Sequence, residues 1–435
     1  MQPVRIGMLG FGNVGQGVAT ILERSAERVA RRAGRPLVIE RVLVRDLSRP
    51  RSASLETSRL TTDWKQVVND PKVDLVVELM GGVEPTMDYV RAALEAGKPV
   101  VTANKALLAE RGWEVFGSAR RARQVVAFEA SVAGGIPIVQ SVSIGLAANQ
   151  IQSISAILNG TCNYILSAMT LRGITYHAAL TQAQQLGYAE ADPTLDVDGT
   201  DTAHKLAVLA QLAFDATVVT ADIPRQGIDR LDSADIRCAG ELGYTIKLLA
   251  RARLAADGSL ELRVAPRLVR QGTPLADVKD AYNAIRLVGD YVGDTLFYGR
   301  GAGALPTASA VVSDIIDVVC GRANPTFETQ NLWSSPRGQT RLTQPDQASS
   351  RYYLRFNIAD QPGVIGQIAM ILGRHAISIA SIIQHDSEQD DSPDAPILLI
   401  MMTHNAQESS MTAALAEIDR LAVVRASSVC LGVDE

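Results

Sequence analysis

The sequence predicts an α/β protein in three parts: a parallel sheet flanked by helices, an α+β middle region, and a small βαββαβ unit at the C-terminus. Three observations carry this. Apolar runs alternate with amphipathic stretches up to about residue 130. Clustered helices and two hairpins then replace the alternation. After a stretch poor in aliphatic residues, short strands and helices resume. Regular strand–helix alternation covers both faces of a parallel sheet, whereas hairpins with segregated helices belong to an antiparallel one.

In the first part Val4 to Leu9 is a strand, and 13–33 is a helix with Val14, Val18, Ile21, Leu22 and Val29 at helical spacing. Strands follow at 37–44, 73–79, 100–101 and 125–128, with helices at 84–96 and 107–121. The middle part opens on an alternating strand at 151–158, then helices at 162–171, 176–186 and 201–214. Asp257-Gly258 and Gly293-Asp294 mark two hairpin turns. Residues 324–350, rich in Gln, Thr, Ser and Pro, read as a linker. Beyond them, 353–358, 364–373, 377–384, 397–403, 411–421 and 422–431 give strand, helix, strand, strand, helix, strand, a ferredoxin-like order. The expected domains are 1–133 (completed by a helix from about 304–320), 134–323, the linker 324–350, and 351–435.

The chain of 435 residues carries 42 basic and 47 acidic side chains, a net charge of −5. That balance gives no general attraction to nucleic acid or anionic lipid. A hydrophobic fraction of 47% excludes wholesale disorder. No apolar run reaches the roughly 18 residues that a membrane span needs, and the start has no signal-peptide core. Cys162, Cys238, Cys320 and Cys430 form no spacing pattern and suit a reducing cytoplasm, so a cytoplasmic protein is expected.

Gly10-Phe11-Gly12-Asn13-Val14-Gly15 matches G-x-G-x-x-G between the first strand and the first helix. The first glycine permits the tight turn and the second lets backbone approach a pyrophosphate. The third lets helix and sheet pack closely, while the helix N-terminus offers free N–H groups. This makes the first domain a Rossmann-type dinucleotide site. The second strand ends at Val44-Arg45-Asp46. An acid there binds ribose hydroxyls and an arginine accommodates a 2′-phosphate; both are present, and Arg45, followed by Arg49 and Arg51, favours NADP(H) while leaving NAD(H) open.

Seven lysines stand against 35 arginines. A guanidinium cannot release a proton near neutrality, whereas a lysine can, so each lysine is a candidate for proton transfer. Lys65, Lys72, Lys98 and Lys279 sit in polar surface contexts and Lys247 in an amphipathic stretch. Lys105 closes Val100-Val101-Thr102-Ala103-Asn104-Lys105 at the C-terminal edge of a parallel strand, where α/β sheets bind ligands. Lys205 lies four residues after Asp201 on one helix face, and Glu190, Asp192, Asp196 and Asp198 precede them. Such a spacing is often an ordinary surface ion pair; the continuation as Leu206, Leu209 and Leu212 points to a partly buried pair at a cleft. Asp196-Val197-Asp198-Gly199 resembles part of an EF-hand loop, but Lys205 would occupy the position of the bidentate Glu, which rejects calcium. No cysteine has a nucleophile context, and His204 points about 100° away from Lys205 around the helix.

The motifs Gly10–Gly15, Thr102–Lys105, Asn159-Gly160-Thr161-Cys162-Asn163-Tyr164-Ile165, Gly187-Tyr188-Ala189-Glu190-Ala191-Asp192-Pro193, 196–205 and Gly301-Ala302-Gly303-Ala304-Leu305-Pro306-Thr307 together resemble homoserine dehydrogenase. The resemblance implies interconversion of L-aspartate 4-semialdehyde and L-homoserine with NAD(P)H, in threonine, methionine and isoleucine biosynthesis. It implies that Lys205 donates the proton to the carbonyl oxygen with Asp201 as its partner. It also implies that Glu190 binds the substrate amino group, that Gly187, Asp196, Asn159 and Thr161 line the substrate site, and that Lys105 stands at the junction with the cofactor, to which Gly303 returns the chain. In the family a monovalent cation, sodium, is held by backbone carbonyls, here those of Glu129, Val132, Gly134 and Ile136.

The C-terminal unit resembles an ACT domain through Asn357-Ile358-Ala359-Asp360-Gln361-Pro362-Gly363-Val364-Ile365-Gly366. This implies amino-acid sensing, with threonine the expected effector and Asp360, Gly363 and Val364 the expected contacts. It also implies a homodimer or higher homo-oligomer. A unit that only dimerises is the alternative. Another amino-acid-linked dehydrogenase on the same scaffold, or a non-catalytic redox sensor, are the competing functions; the sensor leaves the Glu190–Lys205 segment without a purpose.

Overall fold

The chain begins with β1 (Val4–Leu9), α1 (Asn13–Arg24), α2 (Ala26–Ala33), β2 (Leu37–Leu43), β3 (Leu60–Thr61) and α3 (Lys65–Val68). It continues through β4 (Leu75–Glu78), α4 (Thr86–Glu95), β5 (Val100–Thr102), α5 (Lys105–Ala122) and β6 (Val126–Ala127). This computed structural model describes residues 2–51, 55–335, 340–385 and 397–434. Every strand pair here is parallel and the order is β3-β2-β1-β4-β5-β6. That is the Rossmann order, with its switch between β1 and β4, where a crevice opens at the strand ends. The helix expected over 13–33 is two helices. Ser25 leaves helical dihedrals (φ −120°, ψ 24°) and serves both ends, as befits a side chain that competes with helical hydrogen bonding.

The middle region holds α6 (Ile138–Gln140), β7 (Ile151–Ile157), α7 (Gly160–Arg172), α8 (Tyr176–Gln185), α9 (Thr194–Val197), α10 (Thr200–Phe214) and α11 (Ser233–Glu241). The strands β8 (Tyr244–Leu254), β9 (Leu260–Arg270), β10 (Tyr282–Gly289) and β11 (Gly293–Arg300) and the helix α12 (Ala304–Val319) follow. The first hairpin turns where expected. The second turns at 290–292, so Gly293-Asp294 open the returning strand. α12 packs on α1: a Cβ on Gly17 would lie 2.6 Å from the Ala304 carbonyl oxygen, and Ala308, Val311 and Ile315 share a core with Ile6, Val18 and Val42.

The stretch 324–350 departs from a plain spacer. It contains most of α13 (Ala323–Gln330), and Trp333 is 2% exposed, set against Phe116 and Phe128. Residues 336–339 of that stretch lie outside the described residues. The short β12 (Ser349–Ser350) leads into β13 (Tyr352–Ile358), α14 (Val364–Arg374), β14 (Ile379–His385), β15 (Ile397–Thr403), β16 (Ala406–Gln407), α15 (Glu408–Ile418) and β17 (Val424–Asp434). The four longer strands order as β17-β13-β15-β14, the ferredoxin-like arrangement.

The C-terminal unit is not separate from the middle one. β17 pairs with β9 in parallel, Gly432 opposite Arg267 and Asp434 opposite Val269, so one nine-stranded sheet runs through both. Across the same junction Arg355 of β13 donates to the fully buried carboxylate of Asp235 on α11, Nε to Oδ1 at 2.6 Å. One lysine corrects the sequence reading, Lys98, which is not at the surface, and Lys247 of the amphipathic stretch faces inward. Lys98 is 7% exposed and donates to the Asp70 carbonyl, and Lys247, 2% exposed, donates to Val278 O and Asn163 Oδ1. Both ammonium groups reach main-chain oxygens that residue spacing does not reveal. No single helix among the described residues is long and apolar enough to cross a membrane.

Candidate active site

Gly199 (φ 87°) lets the chain reverse from α9 directly into α10, a conformation costly for any residue with a Cβ. The helix then aims Asp201 and Lys205, one turn apart, at the end of β7. Lys205 Nζ donates to Asp201 Oδ2 at 2.6 Å and to the Leu158 carbonyl at 2.8 Å. An ammonium has three donors, so one remains for a ligand. On its other oxygen, Oδ1, Asp201 takes Lys105 Nζ at 3.2 Å. Burial opposes the charge on Asp201, but the Lys205 and Lys105 ammonium groups outweigh it and hold the carboxyl well below its ordinary range. The Asp201 charge in turn raises Lys105. Lys205 is 9% exposed, so the pair is a buried one and not a surface i,i+4 contact.

Asn159 caps α7, its Oδ1 accepting the Cys162 N–H. That fixes the amide so that Nδ2 faces two carboxylates, Asp196 Oδ1 at 2.7 Å and Asp201 Oδ2 at 2.9 Å. Burial, with the Asp201 charge behind it, raises Asp196. The Cys162 thiol donates to the Asp196 carbonyl oxygen, and burial raises it well above its usual value; it is no nucleophile. His204 approaches Glu110 at 3.9 Å on the side away from Lys205, and burial lowers its pKa.

Lys105 is the first residue of α5. Asn104 caps that helix through the Leu107 N–H while its Nδ2 holds the Gly82 carbonyl at 2.7 Å. Beneath it the fully buried Glu78 accepts from Met80 N and Thr102 Oγ1, and burial raises its pKa. This support for Lys105 escaped the sequence reading; an acid closing the apolar run Leu75-Val76-Val77 was its only signal.

Beside it lies the glycine loop. Gly10 has φ 101°, and a Cβ there would come within 2.8 Å of Leu79 O; one on Gly15 would be equally close to Gly10 O. A Cβ on Gly12 would meet nothing in the protein, so space is left against that backbone. The first turn of α1 holds no acidic residue and no side-chain cap, leaving N–H groups free for phosphate oxygens. Asn13 is exposed and Val14 half-buried at the mouth of this loop, while Phe11 packs into the core, 7% exposed, so only its backbone is available to a ligand. The cradle therefore fits a dinucleotide.

Comparison with known proteins decides the family. A homoserine dehydrogenase family model matches residues 137–316, the NAD-binding domain model of that family matches 10–129, and an ACT domain model matches 352–423. A homoserine dehydrogenase of Pseudomonas aeruginosa is 42% identical over 439 residues, covering 100% of each chain. The chain belongs to the homoserine dehydrogenase family. It is an NAD(P)-dependent oxidoreductase. A homoserine dehydrogenase of Neisseria gonorrhoeae is 43% identical over 97% of this chain and 96% of its own. The crystal structure of a homoserine dehydrogenase from Thiobacillus denitrificans superposes with a TM-score of 0.92 at 41% identity, over 100% of this chain and 99% of that one.

The other expected residues of the enzyme fall as follows. Glu190 is exposed beyond α8, and its charge contributes to raising Lys105. Gly187 takes φ 74° in the same turn. Thr161 spends its hydroxyl on the Tyr188 carbonyl at 2.6 Å, holding that turn in place. Gly303 (φ 128°) caps α12, and Arg45 is exposed just past β2. In the loop of Glu129, Val132, Gly134 and Ile136, the amides of Gly134 and Gly135 are bonded to Gly301 and Arg300, and the Ile136 carbonyl already takes the Ile138 N–H. The Glu129 carboxylate accepts from Val139 and Gln140 N–H groups, and burial pushes it up to about 7. In the ACT unit Asp360 is exposed and Gly363 (φ 90°) caps α14. Val364 is 2% exposed, with its side chain in the core, so it can offer a ligand only backbone.

Proposed function

We propose that this chain reduces L-aspartate 4-semialdehyde to L-homoserine, and runs the reverse, with Lys205 as the proton donor. The observation that carries this is the Lys205 ammonium, buried and held at two of its three donors by Asp201 and the Leu158 carbonyl. Bound nicotinamide would supply or accept the hydride, with Gly10, Gly12, Asn13, Gly15 and the α1 N-terminus holding its pyrophosphate and Gly303 beside it. Negative charge builds on the carbonyl oxygen as hydride arrives, and a positioned cationic acid both stabilises that charge and delivers a proton. Asp201 keeps Lys205 in place and is kept ionised by the Lys205 and Lys105 ammonium groups. Asn159, pinned by its cap, spaces Asp196 from Asp201. Glu190, whose carboxylate has no hydrogen-bond or ion-pair partner among the described residues, suits a substrate ammonium, with Gly187 and Thr161 shaping the turn that presents it.

NADP(H) is the favoured cofactor. Asp46 accepts both the N–H and the hydroxyl of Ser48 on one carboxylate oxygen, Oδ1, while Arg45 is exposed and has no partner among the described residues. An arginine free to meet a 2′-phosphate, beside an acid with one oxygen already taken by Ser48, favours the phosphorylated cofactor. The carbonyls of Glu129, Val132 and Gly134 are a suitable set for sodium, a hard cation that takes oxygen ligands, with Ile136 less free. Threonine is the expected feedback inhibitor through the ACT domain, and a homodimer or higher homo-oligomer the expected assembly. The direct test follows homoserine oxidation by nicotinamide absorbance with NADP and with NAD. Activity with homoserine and none with aspartate is the expected result, and the converse would transfer the chain to another substrate.

A further inference from the structure

A polar cavity of about 250 Å³ lies at the seam between the middle region and the ACT unit, away from the crevice of Lys205. One wall is the outer face of β9, where Glu261, Arg263, Ala265 and Arg267 alternate by twos. The other wall is ACT: Tyr352, Glu408 and Cys430. Arg263 pairs with Glu408 across the seam. Arg267, 4% exposed, donates Nη2 to Ser350 Oγ and Val433 O; among the described residues it has no carboxylate within ion-pair distance and its Nε–H has no acceptor. Tyr352 is 6% exposed, and its hydroxyl has no hydrogen-bond partner among the described residues. Desolvation holds the Arg267 guanidinium down at about 10. The buried Nε–H of Arg267 is costly to leave without an acceptor, and the Tyr352 hydroxyl, which keeps some exposure at the cavity wall, is free to bond a ligand.

We propose that this seam cavity is a binding site for a small α-amino acid, its carboxylate taken by Arg267 and the Tyr352 hydroxyl and its ammonium by Glu408 or Glu261. The volume suits a molecule of that size and is below the range for larger ligands. The site goes beyond the ACT turn at Asp360 and Gly363, and it has a short path to the chemistry. Val264, between the cavity-facing Arg263 and Ala265, points to the other side of β9. There its Cγ1 lies 3.1 Å from where a Cβ on Gly199 would be, at the cap of α10. Gln226, which also lines the cavity, donates its N–H to Val264 O, and two residues on Ile228 donates its N–H to Val197 O. A ligand that shifts β9 therefore presses on the turn that aims Asp201 and Lys205.

The test is calorimetric titration of the full-length enzyme with L-threonine, L-isoleucine and L-methionine, repeated on Arg267→Lys, Tyr352→Phe and Asp360→Ala. Tyr352→Phe removes one oxygen and keeps the packing, so it remains informative if the arginine variant folds poorly. The expected result is that at least one of these amino acids binds the wild type. Binding should weaken about tenfold or more in both seam variants, while their turnover without effector is unchanged. Binding that persists in both seam variants but is lost in Asp360→Ala would overturn the seam site and leave ACT sensing intact. No binding by any of the three would also overturn it, with homoserine oxidation unaffected as evidence of the enzyme's identity.

Discussion

Replacing Lys205 by alanine removes the donor to the Leu158 carbonyl, one of the two ammonium groups on Asp201, and the third N–H that faces the ligand space. General acid catalysis contributes about 10²–10⁴-fold, and loss of a single donor to a developing oxyanion costs about 10²–10³-fold. One group performs both tasks here, so the effects overlap and turnover should fall by about 10³–10⁴-fold. Asp201 keeps Lys105 at 3.2 Å, so the fold should survive. The glycine cradle is untouched, so cofactor affinity, read by fluorescence titration, should not move. Lys205→Arg separates charge from proton. A guanidinium keeps the positive charge but cannot release its proton, so it should be nearly as inactive as alanine in steady-state homoserine oxidation. An arginine variant that keeps more than about a tenth of wild-type turnover would refute proton donation by Lys205 and leave only an electrostatic role.

Further outcomes follow from other parts of the fold. Arg45→Ser should raise the KM for NADP by about tenfold or more and leave that for NAD nearly unchanged; equal effects on both would remove Arg45 from 2′-phosphate recognition. Burial lowers Lys247 to about 8 from 10.5. The unfolded chain thus binds more protons between those values, and the Lys247 contribution to stability rises with pH there. The stability difference between wild type and Lys247→Met should increase by about 2–3 kcal/mol from pH 8 to pH 10.5 in thermal melts; a flat difference would contradict it. Asp235→Ala strands Arg355 at the seam and should cost about 3–5 kcal/mol, partly recovered in the double variant with Arg355→Met. Deleting residues 350–435 would uncover the β9 edge and strip Tyr353, Leu431 and Val433 from the core they share with the middle region. The truncated chain should therefore aggregate, and size-exclusion chromatography showing a soluble, active species would contradict the continuous sheet.

What the sequence disclosed and what it hid have physical causes. Five of the six strands of the parallel sheet were legible as apolar runs between amphipathic stretches, whereas β3, two residues long and half polar, gave no such run; the Gly10–Gly15 turn between strand and helix was legible from its glycines. Asp201 and Lys205 were legible as a pair because a helix fixes which residues share a face. Lys105 needed more, since its meeting with Asp201 joins elements 96 residues apart. The Leu158 carbonyl was invisible, because backbone oxygens have no sequence signature, and the Glu78 support was overlooked although an acid closing an otherwise apolar strand was there to be read. Trp333 stood in a stretch whose composition argued for solvent, yet one large ring was enough to anchor it beside Gly112, where a Cβ would lie 2.5 Å from the indole nitrogen. The joining of β17 to β9 rests on edge-to-edge backbone pairing, which the period of side chains does not encode.

The central assignment is most directly read from the distance between Lys205 Nζ and the reacting oxygen in a crystal structure of the enzyme with NADP and L-homoserine both bound. That nitrogen should lie about 2.6–3.2 Å from the substrate hydroxyl oxygen, or reach it through one ordered water. A homoserine hydroxyl bound out of reach of Lys205, beside another proton donor, would contradict the mechanism.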